Sequence, residues 1–268
     1  MQKIVFIGAG SMAEAIIGGW VNKGYFDAKQ IFVSNRSDFT RLENLHNTYG
    51  VQILEQLSDL HDADLIILAM KPKDVGSAMQ NIAPFISANA AILSVLAGIS
   101  IKTIEDGLCA RPIARVMPNT SATIGMSASG IAFNDLVTEE QKALFIDMLM
   151  TIGLVVEVEE DKLHAVTALS GSGPAYIYYL MEAFEKVGTD IGLPKDIVRQ
   201  LMVQTLAGSA SMLQSVDEEP DELRRKIMSP GGTTEAGIQA LQDHHFTETI
   251  EACVKSAESR SRELAKGV

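Results

Sequence analysis

The chain of 268 residues has few cysteines and few basic residues. Its two cysteines, Cys109 and Cys253, form no CxxC or other pairing pattern. This scarcity excludes a disulfide scaffold and is typical of the reducing cytoplasm, which is the location that we expect. There are 22 Lys and Arg residues against 34 Asp and Glu, and the formal net charge is -12. With no basic cluster, we expect neither nucleic acid nor an anionic membrane surface as a partner.

Long apolar runs and metal-ligand spacings are also lacking. No run approaches the ~20 apolar residues of a membrane-spanning helix. The adjacent His244 and His245 invite a metal site, but neighbouring helical positions point about 100° apart. No cysteine or carboxylate spacing completes a ligand set around them. The sequence therefore predicts no membrane association and no metal site.

What the first half does contain is an alternation of short apolar runs with helical patterns. The runs predict strands at Lys3–Ile7, Gln30–Val33, Val51–Leu54, Asp64–Met70, Ala90–Ala97, Ile113–Met117 and Leu154–Val158. Helices are predicted from Ser11 to about Lys23, from Pro72 to about Phe85, and after a capping box at Thr138–Gln141. Strands that alternate with helices indicate an α/β fold, a doubly wound parallel sheet with helices on its faces.

The second half contains only helical patterns. They cover Asp161–Leu169, Pro174–Gly188, Lys195–Val216, Glu222–Ile227, Thr234–Asp243 and Thr247–Lys266. We therefore expect an N-terminal Rossmann-type domain at 1–159 and an all-α C-terminal domain at 160–268. The segment Ala175–Met181 is apolar almost throughout, which indicates either a central helix of the domain or burial against another subunit.

A glycine-rich segment, Gly8-Ala9-Gly10-Ser11-Met12-Ala13, follows the first strand and opens a helix. Its first glycine allows a tight turn, its second lets the backbone approach a pyrophosphate, and its last alanine permits close helix–strand packing. The motif alone is weak, but the preceding strand and following helix are the context that dinucleotide binding requires. We predict a nicotinamide cofactor site that includes Ile7, Gly8, Ala9, Gly10, Ser11 and Met12.

The second strand leads into Ser34-Asn35-Arg36, where an NAD-preferring fold places an acidic residue for the ribose 2′-hydroxyl. A guanidinium suits a 2′-phosphate by its charge and by its forked geometry. Arg36 can also stack on adenine or be a solvated loop residue. We predict that NADPH is preferred and that NADH is also accepted.

Later strands end on the same edge of the predicted sheet, where ligands bind in this fold. The fourth strand runs into Ala69-Met70-Lys71-Pro72, which we expect beside the ribose and nicotinamide half of the cofactor. Lys71 can equally be an ordinary surface lysine. The next strands end in Val95-Leu96-Ala97-Gly98 and Met117-Pro118-Asn119-Thr120, which we expect to wall the nicotinamide ring and gate the substrate.

The segment Ser229-Pro230-Gly231-Gly232-Thr233-Thr234 precedes a predicted helix in the second half. A helix start offers unpaired N–H groups and a positive dipole, which favour a small anion such as a carboxylate. A second glycine-rich turn, Ser170–Pro174, also opens a helix and is by itself typical of a sharp helix–helix corner. Together the motifs predict an enzyme that brings a nicotinamide cofactor to a small anionic substrate.

Taken together, these motifs resemble the Δ1-pyrroline-5-carboxylate reductase family. The resemblance covers the chain through GAGSMA, SNR, LAMKP, RVMPNT, ALSGSGPAY and SPGGTTEAGIQAL, of which the last two are specific to the family. It implies NAD(P)H-dependent reduction of a cyclic imine to L-proline. It also implies an intertwined homodimer through the helical domain, often assembled into a decamer, a pentamer of dimers. Met228 departs from the family pattern, which commonly has a small or hydroxylated residue before Ser229.

For such an imino-acid substrate, the backbone N–H groups from Gly231 to Thr234 can bind the carboxylate. We assign the hydroxyl of Thr234 to the ring nitrogen, as the catalytic residue. The resemblance adds Glu160 and Ser172 to the pocket, with the partner subunit as one source of these groups. The substrate-binding set is thus Glu160, Ser172, Ser229, Gly231, Gly232, Thr233 and Thr234.

Two other functions fit part of the pattern. A β-hydroxyacid dehydrogenase needs a catalytic lysine on a helix of the second domain, but Lys186 and Lys195 lack the expected glycine-rich spacing. A nicotinamide-binding sensor would keep GAGSMA and SNR but would have no use for SPGGTT at a helix start. A substrate-dependent loss of reduced cofactor separates a reductase from a sensor.

Overall fold

The computed structural model describes residues 1–266, which divide into two compact units. The first unit takes in Met1–Pro174 together with the chain from Ser256 onward, and the second is Ala175–Lys255. The expected boundary at 159/160 marks a different feature, the end of the last strand, and stays a prediction.

The first unit is built on one sheet of eight strands. The strands are β1 Ile4–Ile7, β2 Ile31–Ser34, β3 Gln52–Ile53, β4 Leu65–Leu68, β5 Ala91–Ser94, β6 Ile113–Met117, β7 Ser127–Phe133 and β8 Gly153–Glu157. Their order is β3-β2-β1-β4-β5-β6-β7-β8, and every pairing is parallel except the antiparallel pairing of β6 with β7. The predicted Rossmann-type fold is confirmed, apart from this one antiparallel step.

The described residues contain eleven α-helices. They are α1 Ser11–Asn22, α2 Phe39–Tyr49, α3 Val75–Ile82, α4 Ile101–Leu108, α5 Glu139–Met150, α6 Leu163–Val166, α7 Gly173–Asp190, α8 Lys195–Ser215, α9 Pro220–Lys226, α10 Thr233–Asp243 and α11 Phe246–Lys266. The capping box predicted before α5 is present, since Thr138 and Gln141 exchange hydrogen bonds. Within residues 1–266, no helix has the length and apolar character to cross a membrane.

The sequence analysis did not locate α2 or α4, and it missed one strand of residues 1–266, β7. Its sequence SASGIAF is dominated by small residues and contains no apolar run. The small residues have a packing role, because a Cβ at Gly130 would lie 2.8 Å from the side chain of Val166 in α6. Close packing of α6 explains why β7 consists largely of small residues. A strand of this kind is not recognised from hydrophobicity alone.

The core of the first unit covers both faces of the sheet. In β1, Ile4 and Phe6 belong to one buried cluster, whereas Val5 and Ile7 belong to the other. This alternation is what the pleat of a strand requires. Trp20 of α1 is fully buried, and its indole N–H donates to the carbonyl of Met148 at 2.7 Å. Burial on both faces holds the strand ends in fixed positions.

The second unit has almost no core of its own. Between residues 175 and 255, Val198 is the only buried residue, and α7 has none. Large apolar side chains of this unit are exposed instead: Ile177, Tyr178, Tyr179, Val187, Ile191, Leu201 and Val203. The apolar run at Ala175–Met181 is therefore not a central helix of its own unit.

Candidate active site

The glycine-rich loop joins β1 to α1. Gly8 has a φ of +107°, and a Cβ there would lie 2.5 Å from the Ala69 carbonyl carbon and from the Met70 nitrogen. Only glycine fits both this backbone conformation and this space. Gly10 is the N-cap of α1 and provides no side-chain cap. The N–H groups of the first turn are thus left for a ligand.

The ends of β2 and β4 flank this loop, and the end of β5 is bonded in turn to the end of β4. The Gly8 N–H donates to the Ser34 carbonyl at 3.0 Å, and the Ala69 N–H donates to the Ile7 carbonyl at 2.9 Å. The Val95 N–H donates to the Leu68 carbonyl at 3.1 Å. The structure therefore brings all of the predicted cofactor residues to one sheet edge: Ile7–Met12, Ser34–Arg36, Ala69–Pro72, Val95 and Ala97.

Arg36 projects from this edge with its side chain 78% exposed. Its Nη2 atom lies 3.9 Å from Asp74 Oδ1, a long and exposed ion pair that contributes little. Asn35 shapes the turn, because its Oδ1 accepts from the N–H groups of Ser37 and Asp38. The Arg36 guanidinium is thus available to a phosphate.

Arg41 of α2 is a site residue that the sequence analysis missed. Its Nε donates to the carbonyl of Ala9 at 2.9 Å, and its Nη2 donates to Glu14 Oε2 at 2.5 Å. The guanidinium therefore ties the glycine-rich loop to the first helix. No motif signals this contact, which joins residues far apart in the sequence.

Glu160, predicted in the substrate pocket, has two partners within the first unit. Its Oε1 accepts from Nη1 of the buried Arg115 at 3.0 Å and from the Ile101 N–H at 2.7 Å. These bonds brace β6 and the start of α4 against the turn at Glu160–Lys162. The Oε1 atom of Glu160 is thus hydrogen-bonded within the chain itself.

Ser172, also predicted in the pocket, follows an irregular helical segment. The expected helix Asp161–Leu169 is a 3₁₀ turn at Glu160–Lys162, then α6, then a π turn at Thr167–Gly171. The Ser172 N–H closes the π turn by donating to the Thr167 carbonyl at 2.8 Å. Single π turns occur frequently at functional sites.

In the second unit, Ser229 to Gly232 form a turn into α10. Gly231 has a φ of +70°, and its N–H donates to Glu235 Oε2 at 2.7 Å. The Gly232 N–H donates to the Ser229 carbonyl at 2.9 Å. Among residues 1–266, the N–H groups of Thr233 and Thr234 and the Thr234 hydroxyl have no acceptor. The predicted four backbone donors are thus reduced to the two threonine N–H groups.

Comparisons with known proteins agree with this geometry. A family model described as pyrroline-5-carboxylate reductase dimerisation matches residues 160–264, and one described as NADP oxidoreductase, coenzyme F420-dependent, matches residues 3–98. Pyrroline-5-carboxylate reductase 1 of Bacillus subtilis (strain 168) is 44% identical over 269 residues, which covers 100% of this chain and 91% of that protein.

Solved structures give the same result. A pyrroline-5-carboxylate reductase from Coxiella burnetii superposes with a TM-score of 0.92 at 33% identity, over 98% of each chain. The Plasmodium falciparum pyrroline carboxylate reductase with NADP bound has a TM-score of 0.86 at 27% identity, also over 98% of each chain. With this similarity along its full length and the helix starts described above, the chain belongs to the pyrroline-5-carboxylate reductase family.

Proposed function

We infer that the chain reduces 1-pyrroline-5-carboxylate to L-proline with NAD(P)H, the last step of proline biosynthesis. The observation that carries this function is the start of α10, where the Thr233 and Thr234 N–H groups have no acceptor among residues 1–266. Donors at the positive end of a helix dipole suit the carboxylate of a small imino acid. The chain is therefore an oxidoreductase that acts on a C=N bond.

The glycine-rich loop fits a dinucleotide. The missing side chain at Gly8 lets the loop pass against Ala69, and the first turn of α1 presents free N–H groups to a pyrophosphate. NAD(P)H, when bound, supplies the hydride that reduces the imine carbon. We propose that the cofactor set is the predicted one: Ile7, Gly8, Ala9, Gly10, Ser11, Met12, Ser34, Asn35, Arg36, Ala69, Met70, Lys71, Pro72, Val95 and Ala97. Within this set, Arg36 favours NADPH by pairing with its 2′-phosphate.

On the substrate side, the Thr233 and Thr234 N–H groups bind the carboxylate. The Thr234 hydroxyl hydrogen-bonds the ring nitrogen while that nitrogen changes from protonated imine to amine. A hydroxyl can serve as donor or acceptor, so it suits a nitrogen whose charge changes during the reaction. Ser229, Gly231 and Gly232 shape the turn, and Glu160 and Ser172 stay in the proposed substrate set on family resemblance. No strong acid is needed, because positioning of the two reactants supplies much of the rate.

The test is the initial rate of NADPH oxidation by the purified chain with pyrroline-5-carboxylate, with the product identified as proline by mass spectrometry. We expect oxidation that depends on the substrate and saturates with it. Binding of NADPH without its oxidation would contradict the proposed function and would favour the alternative of a nicotinamide-binding sensor. A parallel reaction with a β-hydroxyacid should leave NADP⁺ unreduced.

The same family assignment includes self-association through the helical region. We propose a homodimer formed by the domain at 160–268, assembled further as a pentamer of dimers. The exposed apolar side chains of α7 and α8 support this, since Tyr179 of α7 is 75% exposed and Leu201 of α8 is 56% exposed in the single chain. Sedimentation velocity should give the mass of two or ten chains, and a monomer would contradict the proposal. A cytoplasmic location is part of the proposal, because unpaired cysteines suit that compartment.

A further inference from the structure

Asn119 lies just after β6 and is only 8% exposed. Its Nδ2 donates to the carbonyl of Ser170 at 3.0 Å, and its Oδ1 accepts from the Ser121 N–H at 3.0 Å. Its own backbone N–H donates to Ser127 Oγ at 3.1 Å. The side chain is thus held on both sides, with its amide donor pointed at the π turn.

The Ser170 carbonyl needs this donor for a reason that can be read from the sequence. In a regular α-helix, it would accept the N–H of the residue four positions later. That residue is Pro174, which has no N–H. A partly buried carbonyl without a donor is costly, and the Asn119 amide supplies the missing bond. The MPN and SGSGP motifs are therefore joined by the hydrogen bond from the Asn119 side chain to the Ser170 carbonyl.

A second contact joins the same two segments. A Cβ at Gly171 would lie 3.3 Å from Met117 Cε, so the last residue of β6 packs closely on the π turn. The end of β6 belongs to the sheet edge that carries the cofactor loops, and the π turn leads directly into Ser172. A shift of the π turn relative to β6 would therefore move Ser172.

We propose that Asn119 is a positioning residue that fixes the π turn at Thr167–Gly171, and with it Ser172, relative to the end of β6. The inference rests on the proposed function, in which Ser172 belongs to the substrate set. Because Asn119 acts through another residue, its loss impairs substrate use and turnover. Asn119 makes no hydrogen bond to the glycine-rich loop within residues 1–266, so its loss should affect NADPH affinity less than it affects kcat/KM.

The experiment compares Asn119→Ala and Asn119→Asp with a matched control, Asn134→Ala. Asn134 makes the same kind of bonds at the opposite end of β6, since its Oδ1 accepts from the Ile113 N–H at 3.0 Å and its Nδ2 donates to the Arg111 carbonyl at 2.8 Å. The Asp variant keeps the acceptor for Ser121, removes the donor for Ser170 and adds a negative charge beside that carbonyl. We measure kcat, KM, the NADPH dissociation constant by fluorescence, and hydrogen exchange of the Thr167–Pro174 segment.

We expect both Asn119 variants to lose about 10- to 100-fold in kcat/KM for pyrroline-5-carboxylate, since small misplacements are costly in catalysis. NADPH affinity should change less than kcat/KM, and exchange at Thr167–Pro174 should be faster. Asn134→Ala should be less stable than the unmodified protein. Its kcat/KM should be unchanged, and hydrogen exchange at Thr167–Pro174 should remain as slow as in the unmodified protein. Unchanged kcat/KM or unchanged exchange in the Asn119 variants would overturn the inference.

Two further outcomes are also decisive. Failure of both Asn119 variants to fold, while Asn134→Ala folds, would assign Asn119 to fold stability and overturn the positioning role. If the unmodified chain does not oxidise NADPH with this substrate, the proposed function fails. The exchange measurement then still decides whether Asn119 holds the π turn.

Discussion

The backbone N–H of Gly8 donates a 3.0 Å hydrogen bond to the carbonyl of Ser34. Gly8 begins the loop that is proposed to hold the pyrophosphate, and Ser34 ends β2, two residues before Arg36. The bond therefore ties the start of this loop to the strand end that leads into Arg36. A change at either residue should be detected as a change in cofactor affinity.

Replacing Gly8 with alanine should abolish NADPH binding and destabilise the fold. The new Cβ would lie 2.5 Å from the backbone at Ala69 and Met70, in a conformation with φ of +107°. We expect the free energy of unfolding to fall by about 1–3 kcal/mol. Urea denaturation and NADPH fluorescence titration measure the two effects.

The matched control is Gly24→Ala. Gly24 also has a positive φ, of +65°, but a Cβ there meets nothing within 4 Å. The free energy of unfolding of the Gly24→Ala protein should fall by about 1–2 kcal/mol because of backbone strain, and its NADPH affinity should be unchanged. A Gly8→Ala protein that binds NADPH normally would disprove the role of the loop.

Replacing Arg36 with alanine should lower kcat/KM for NADPH and leave that for NADH nearly unchanged. Loss of a charge-assisted bond to the 2′-phosphate is worth about 1.5–3 kcal/mol, or roughly 10- to 100-fold. Initial rates with each cofactor measure this ratio. Arg260→Ala is the control, because Arg260 is another exposed arginine, paired with Glu263. Equal losses for both cofactors would instead place Arg36 on the adenine that they share.

Replacing Thr234 with alanine should lower kcat by about 100-fold without loss of stability. The hydroxyl makes no hydrogen bond with the described part of the chain, so its removal costs the fold little. Thr234→Ser keeps the hydroxyl and should retain most of the turnover. Steady-state kinetics and thermal denaturation of both variants test the assignment. Equal turnover by the alanine variant and the unmodified protein would remove Thr234 from the chemistry.

His164 should make stability depend on pH. Burial first, and then the positive charges of Arg262 and Arg115, hold the pKa of His164 below its usual value of 6.5. The unfolded chain therefore takes up a proton more readily than the folded chain. The stability contribution is fully present above the unfolded pKa and is lost as pH falls through 6.5 towards the lower folded pKa.

Urea denaturation between about pH 7.5 and about pH 5 measures this dependence. His164→Asn should reduce the loss of stability over that range, although it also perturbs the 2.9 Å contact between His164 Nδ1 and Ser261 Oγ. His61→Asn, at an exposed histidine, is the control substitution. The same pH dependence in all three proteins would contradict the prediction.

The sequence predicted features that depend on local pattern. Seven strands, the glycine-rich loop after Ile7 and the turn into α10 follow from apolar runs and from glycine placement. Strand β7 was missed because its small residues are explained only by α6 packing on Gly130. The Arg41–Ala9 contact was missed for a similar reason, since it joins segments that are distant in sequence.

The turn into α10 shows a further limit of sequence pattern. The motif predicts backbone donors from Gly231 to Thr234, but it does not show which donors are already used. In the structure, the Glu235 carboxylate accepts from Gly231, and the Ser229 carbonyl accepts from Gly232. Only the geometry shows that, within residues 1–266, the two threonine N–H groups have no acceptor.

Transfer of deuterium tests the central claim most directly. The purified chain is given pyrroline-5-carboxylate and NADPH that carries deuterium at both C4 positions of the dihydronicotinamide, and proline is analysed by mass spectrometry. If the chain transfers hydride to the imine, the product is L-proline with a single deuterium on the former imine carbon, formed in step with NADPH oxidation. Proline without deuterium, or bound NADPH that is never oxidised, would contradict it.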